Sequence, residues 1–557
     1  MSRIANGIRA KRFRVRDGAK VELRLENELG EKAMLKVNNS SITGLGAWLS
    51  TEDAKKISFE YGKVIPESKI VWEDNEVPLG RLILRSRTQA GDGYVYGFSC
   101  VDSRVPLMGS LSKHFESLAN TDETALDFEL NAGKFNLASF IESDHTHADL
   151  FHKCHEYALL KEDTEKNPMW QFYAVRHSVN GLRVKMSLPK IRKPTEYVSF
   201  GSYDYFGFSS DAEVKVAATK AIEKYGVSAT ATPPLSGRTA IHEELEYKLA
   251  QMLRKEDAIL FNSGFAANVG TLTAILGAND LAVADILSHA SIHDGLSASK
   301  AKVRLFRHNN NNHLTNQLKE NREAHSGALV VTEGLFSMDG DVPNLLEFVK
   351  IAKKNNARIL LDEVHSFGVM GPTGLGAAER LGVLDDIDIY TGSLSKGVGA
   401  GGGFVAGTKE FVNWLRVFAR AGIFSSAVSP SCVAAALKSI DIIQTRPERR
   451  QKLLDNIKMF LDGLRALGYS PKSDPESPIV PVIMGDKKKL GVMNKIMLEH
   501  GVFVNTIVFP AVAENASRFR FSISAAHSPS DIQLALVALR RAIEVAEIDF
   551  NQLAVAA

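Results

Sequence analysis

Residues 357–368, ARILLDEVHSFG, decide the fold. The segment opens with the apolar run Ile359–Leu361 and ends in Asp362 and His365. Such a run, bounded by polar residues, predicts a strand buried on both faces, as in a parallel sheet. Open α/β sheets place their ligands beyond the carboxyl ends of their strands. A buried aspartate at that point is costly unless it meets a cation. Taken alone, Asp362 reads equally well as a cap for the next helix.

Working outward, YTGSLSKGVGAGGG (390–403) sets Lys396 between a strand and a glycine-rich loop. A lysine there can cradle phosphate, lie on the surface, or form a Schiff base. The P-loop pattern GxxxxGK[ST] is absent. Lys396 follows Asp362 by 34 positions, about one βα unit plus the next strand. Both are thus expected on one edge of one sheet. A pyridinium cofactor needs that pair, an amine to bond and an acid to keep its ring nitrogen protonated. Ala328–Thr332 and Ile387–Thr391 are similar apolar runs, alternating with helical stretches such as AEVKVAATKAIEKYG and HEELEYKLAQMLR. That alternation predicts βαβ units and a mostly parallel sheet. FNSGFAANVG (261–270) has small residues before a helix, which expose N–H groups to a phosphate. LSHAS supplies His289, which can stack on a flat ring or be structural, and TEGLFSMDGD supplies Ser337.

Together these segments resemble the α-oxoamine synthase family of pyridoxal-phosphate enzymes. The resemblance covers about residues 170–550 and includes the order of SGF, HAS, FSMDGD, DEVHSFGVMGPTGLG, SLSK, FSSA and RFRFSISAAHS. It implies an α/β fold-type-I transferase. The large domain, about residues 215–440, would hold a mostly parallel seven-stranded sheet. A small α+β domain would combine the flanking N-terminal part with residues 441–557. It implies pyridoxal 5'-phosphate carried by Lys396, with Asp362 on the ring nitrogen, His365 at the ring hydroxyl, Ser337 nearby and His289 on the ring face. Gly264, Phe265 and Ser393 would serve the phosphate. Ser425 or Ser426 would reach the phosphate of a neighbouring subunit, which implies a homodimer. Arg520 would hold the amino-acid carboxylate, with Tyr203 at the substrate. The implied reaction is decarboxylative condensation of a small amino acid with an acyl-CoA to give an α-amino ketone.

Tyr203, in GSYDYFGF, stands where most of the family has asparagine, and VFPAVAENASRFRF is also similar to serine palmitoyltransferases. That activity leads, with 2-amino-3-ketobutyrate CoA ligase and 8-amino-7-oxononanoate synthase as alternatives. SATATPPLSGRTAIHEELE departs from the family's glycine- and serine-rich segment, and Pro233 and Pro234 stiffen it. An ordinary aminotransferase would lack the match to FSMDGD and SAAHS.

The first hundred-odd residues read differently. Val21, Leu23 and Leu25, then Leu82 and Leu84, then Tyr94, Tyr96 and Phe98 alternate with polar residues, which predicts short antiparallel strands in a small barrel or sandwich. Five of the eight residues Arg9–Arg16 are basic; Arg12 and Arg16 form RxxxR, and Asn39, Ser41 and Gly44 form NxSxxG. The region resembles the PilZ domain, which implies cyclic di-GMP binding by those five residues. A degenerate PilZ domain that only docks, or a cyclic-di-GMP-binding scaffold with an inactive catalytic domain, are the rival readings. The expected organisation is a PilZ-like barrel over 1–118, a helical linker over 119–169 and the catalytic domain over 170–557. SLSKHFESLAN, from Ser110, reads as a short helix; His145, His147, His152 and His155 in the linker read as a solvated face rather than a metal site.

Composition fits this organisation. Of 557 residues, 45% are hydrophobic and 24% charged, which excludes a disordered chain. The net charge is +2, so no nucleic-acid partner is expected. Cys100, Cys154 and Cys432 are too scattered for a disulfide framework or zinc site. With no signal sequence and no apolar run of membrane-spanning length, a cytoplasmic location is expected, with peripheral contact to the inner membrane left open.

Overall fold

A computed structural model describes the backbone of nine strands within residues 13–100. It also describes residues 149–165, 171–179, 181–189, 193–509 and 511–548. The chain divides into two compact units, Met1–Trp170 and Gln171–Ala557.

The first unit is built on one antiparallel sheet. Its neighbours run Val64–Ile65, Leu82–Ala90, Gly93–Cys100, Gly44–Ser50, Lys32–Ser41, Val21–Glu26, Glu67–Trp72 and Asn75–Pro78. The alternating segments read from the sequence therefore lie in strands. The ninth strand, Phe13–Arg14, pairs with Lys32–Ser41, setting Phe13 opposite Ser40 and Arg14 opposite Asn39. Ser41 pairs with Gly44. Arg12 and Arg16, the helix expected from Ser110, and His145 and His147 lie outside the described residues. His152 and His155 fall in the helix His152–Glu165. Among the described residues no group of three or more His, Cys, Asp or Glu stands together as a metal-ligand set.

The second unit is organised by a seven-stranded sheet. In chain order the strands are β1 (Asp257–Phe261), β2 (Leu281–Asp285), β3 (Lys302–Phe306), β4 (Ala328–Glu333), β5 (Arg358–Asp362), β6 (Ile389–Ser393) and β7 (Gly403–Gly407). They lie in the order β1-β7-β6-β5-β4-β2-β3. All are parallel except β7, which runs antiparallel to both its neighbours. Every residue of β2, β6 and β7 is buried, as in a sheet covered on both faces. Side chains alternate between two cores. Val283, Val330, Leu361 and Phe404 enter one, and Ala284, Val331, Leu360 and Val405 the other. The expected strand from Ile387 starts two residues later. Leu384–Asp386 form a 3₁₀ turn, and the Asp388 carboxylate accepts a hydrogen bond from the Ile359 N–H across the sheet end.

The expected helices form at Ala212–Tyr225 and Ala240–Met252. Asp211 caps the first through the N–H groups of Glu213 and Val214, and Gly226, at φ +82°, ends it. Pro233 and Pro234 open a π-helical turn, Pro233–Gly237, in which a Cβ on Gly237 would fall 2.1 Å from the Ala231 carbonyl oxygen.

Both ends of this unit build its smaller part. Thr195–Ser199 pairs in parallel with Val502–Phe503, setting Val198 opposite Val502. A second sheet places β10 (Arg518–Ser522) between β8 (Ile479–Ile483) and β9 (Asn505–Ile507). The loop after β4 is clamped from two sides. His308 Nδ1 lies 3.1 Å from Asp285 and its Nε2 2.9 Å from Asp341, and these carboxylates push its pKa up to about 10 against the effect of burial. Arg518 pairs with Asp339 at 2.7 Å. Among the described residues no helix is long and apolar enough to cross a membrane.

Candidate active site

The carboxyl edge of the sheet gathers the chemistry. Asp362 closes β5, its register partner Glu333 closes β4, and Ser393 closes β6 three residues before Lys396. The helix α1 (Gly264–Ile275) starts just after β1, and α2 (Ala290–Ala298) starts beyond β2 with His289 as its N-cap. This arrangement follows from parallel strands, each delivering its next loop to the same edge.

Asp362 is 3% exposed. Its Oδ2 accepts from Asn268 Nδ2 at 2.7 Å and its Oδ1 from the Val364 N–H at 2.9 Å. Burial raises its pKa, opposed by these donors and by His289 and Lys396. Lys396 projects its amine 3.6 Å from the centre of the Tyr203 ring. Burial, and then the Arg520 charge, lower its pKa to about 8, with Asp362 acting in the opposite sense. His365 is buried and shares a hydrogen bond of 2.8 Å between Nδ1 and the Tyr205 hydroxyl. Burial, with Lys396 and Arg520 nearby, holds its imidazole neutral.

Arg520, in the middle of β10, is 2% exposed. Its Nε donates to the Ser337 carbonyl at 2.5 Å, its Cζ lies 5.0 Å from the Tyr203 ring centre, and its Nη1 is buried without a partner. Tyr203 thus lies against both cations. Ser337 contributes its carbonyl here. Gly264 begins α1 so close to β6 that a Cβ would sit 2.9 Å from that of Ser393. The Ser393 hydroxyl meets that of Ser395 at 2.7 Å. Phe265 is exposed beside this helix start, edge-on to the His289 ring at 6.5 Å. Ser425 and Ser426 lie apart from the Lys396–Arg520 group in hydrogen bonding; the Ser426 carbonyl accepts from Asn262 Nδ2 at 2.6 Å.

A family model for class I and II aminotransferases matches residues 195–539. The chain belongs to this family. Among its relatives in the class I and II aminotransferases is the 8-amino-7-oxononanoate synthase of Thermoanaerobacter pseudethanolicus, 37% identical over 390 residues. That match covers 70% of this chain and 97% of the relative. The serine palmitoyltransferase of Sphingobacterium spiritivorum is 38% identical over 350 residues, 63% of this chain and 87% of the relative. Among solved structures, the Sphingomonas wittichii serine palmitoyltransferase superposes with a TM-score of 0.67 at 31% identity. It covers 72% of this chain and 99% of that one. A serine palmitoyltransferase with PLP internal aldimine superposes at 0.68 and 31%, covering 72% and 100%.

The aminotransferase-family site also holds residues that sequence reading passed over. Asn268 lies inside FNSGFAANVG, where attention fell on the small residues that open the helix. Its burial at 1% marks it, since an amide inside an otherwise apolar helix face needs a polar partner. Tyr205 is two positions from Tyr203 in the same motif, yet it is Tyr205 that bonds His365. Glu333 is fully buried next to Asp362, and burial with that neighbour raises its pKa well above the usual carboxylate range.

Proposed function

We propose that this chain catalyses the decarboxylative condensation of a small amino acid with an acyl-CoA, giving an α-amino ketone, CO2 and CoA, with pyridoxal 5'-phosphate as cofactor. The observation that carries this reading is a buried lysine with pKa near 8, set between Asp362 and an arginine whose Nη1 has no protein partner. A lysine with a depressed pKa suits a bond to the cofactor, and a buried guanidinium with a free Nη1 suits a substrate carboxylate. When bound, the cofactor supplies a sink for the electron pair left on Cα.

The chain's residues do the rest. Lys396, whose lowered pKa gives it a far larger neutral fraction than an ordinary lysine, would bind the cofactor and then take the Cα proton. Asp362, anchored by Asn268 and Val364, holds a proton on the ring nitrogen. His365, neutral and fixed by Tyr205, orients the ring hydroxyl, and His289 packs on the ring face. The N–H groups at the start of α1, at Gly264 and Phe265, with the Ser393 hydroxyl, receive the phosphate. Ser425 or Ser426 completes that site in a partner subunit, so the working unit is a homodimer. Arg520 grips the substrate carboxylate with the fork that Ser337 leaves free.

Serine and a long-chain acyl-CoA are the leading substrates. Tyr203 supports this, as does the better superposition on serine palmitoyltransferases than on the 8-amino-7-oxononanoate synthase of Francisella tularensis, whose TM-score is 0.54. CoA release should be measured with glycine, alanine and serine against acyl-CoAs of several lengths. Serine with a long chain is expected to be fastest. Cofactor binding without CoA release from any pair would overturn the reading. The site of action is the cytoplasm.

The first unit is a PilZ-type receptor for cyclic di-GMP that acts on this enzyme. The support is backbone register. The strand Phe13–Arg14, inside the RxxxR span, pairs at Arg14 with Asn39, and Ser41 pairs with Gly44. Two arginines each making a bidentate pair of charge-assisted bonds, at ~1.5–3 kcal/mol per bond, contribute ~6–12 kcal/mol, which leaves roughly micromolar affinity after ordering costs. Calorimetry should show that affinity, lost in Arg12→Ala/Arg16→Ala. No heat at tens of micromolar ligand would leave the unit a docking module.

A further inference from the structure

A chain of side chains links the two groups that would flank the cofactor ring. Asn268, 1% exposed, spends both hydrogens of its Nδ2, one on Asp362 Oδ2 at 2.7 Å and one on Ser291 Oγ at 2.9 Å. Its Oδ1 is left buried without a partner. The amide orientation is thereby fixed, because an ionised Asp362 accepts only. Ser291 is fully buried, and its hydroxyl lies 2.7 Å from His289 Nδ1. The Ser291 N–H points at the same nitrogen at 3.2 Å. A backbone donor aimed at Nδ1 requires that nitrogen to be the acceptor, so the Ser291 hydroxyl also donates to it. The proton of the neutral ring then sits on Nε2. The His289 backbone is held independently, its N–H donating to buried Glu333.

We infer that Asn268 and Ser291 are positioning residues that lock His289 in its Nε2–H tautomer and tie its ring to Asp362, so that His289 presents a donor and never an acceptor to a bound substrate. The inference rests on the functional reading above for its consequence in catalysis, but not for the tautomer itself. Either deletion acts through His289: Ser291→Ala removes the hydroxyl at Nδ1, and Asn268→Ala also frees Asp362.

The test has two arms. With the protein labelled with 15N at histidine, and His289 assigned by its loss in His289→Ala, the wild type should show an Nε2-protonated ring, and Ser291→Ala, which keeps the backbone N–H, the same tautomer with its Nδ1 resonance shifted by loss of the hydroxyl. An Nδ1-protonated ring in wild type would overturn the inference, whatever reaction the enzyme performs. In the holoenzyme, Ser291→Ala should lower kcat roughly tenfold, the worth of one well-placed hydrogen bond, while KM for both substrates stays within twofold. In a His289→Ala background the same change should alter kcat less than twofold. A tenfold loss persisting there would make Ser291 merely structural. Wild-type kcat in Ser291→Ala would overturn the positioning role. Absence of CoA release in the wild type itself would instead overturn the functional reading. Should Asn268→Ala not fold, the Ser291 variants decide alone.

Discussion

Lys396→Ala is expected to lose all borohydride-fixable cofactor and to lower turnover by at least ~10²–10⁴, the usual worth of a positioned proton-transfer group. The same lysine predicts a pH dependence. An ordinary lysine, with pKa ~10.4, is less than ~1% neutral at pH 8. Lys396, with its pKa lowered to about 8, is about half neutral there. The amine is the reactive form, so capture of pyridoxal phosphate by the apoprotein should rise through about pH 8 and level off above it. Stopped-flow absorbance in the visible checks this. Normal fixation in Lys396→Ala, or a rise in capture rate continuing to pH 10, would remove Lys396 from its role.

Arg520→Ala should weaken amino-acid binding at least ~100-fold and leave cofactor affinity within a few-fold. Removing one partner of a desolvated ion pair costs ~3–5 kcal/mol, and each 1.4 kcal/mol is a factor of ten. Arg520→Lys should recover little. An ammonium cannot keep the bond that Nε makes to the Ser337 carbonyl and still offer a planar fork. Spectroscopic titration of the holoenzyme with amino acid measures both variants. An unchanged dissociation constant would exclude Arg520 from the carboxylate site.

The large sheet was legible because its central strands are buried on both faces, leaving apolar runs at 328–332 and 359–361 that no helix period explains. The placement of Asp362 and Lys396 on one edge followed from their spacing. Other features had no sequence signal. Ser337 acts through its main-chain carbonyl, which every residue possesses. Asn268 and Ser291 are important through each other, and the segments that carry them, 261–270 and 287–291, give no sign that they meet. Tyr203 and Tyr205 are both plausible ring partners, and only the backbone path decides that Tyr205 faces His365 while Tyr203 lies under the two cations. The strand Val502–Phe503 is too short to show a period at all. The oxygen-bearing side chains of Ser425 and Ser426 belong to a reading that needs a second subunit.

The pairing of Val198 with Val502 has a consequence for biosynthesis. It joins residues 304 positions apart, with the whole large sheet lying between them in sequence. The last strand of that sheet ends at Gly407, 95 residues before Val502. At roughly 5–20 residues per second, translation covers that distance in about 5–20 s. During this interval the nascent chain can form the sheet and hold Lys396 and Asp362 at its edge, but it has no Arg520. The segment Thr195–Ser199 meanwhile has Arg183–Ser187 on one side and waits for Val502–Phe503 on the other, so that Val198 and Phe200 lack part of their cover. A chain stalled in that window would be able to capture cofactor before it could recognise substrate, and it would expose the apolar surface that chaperones bind.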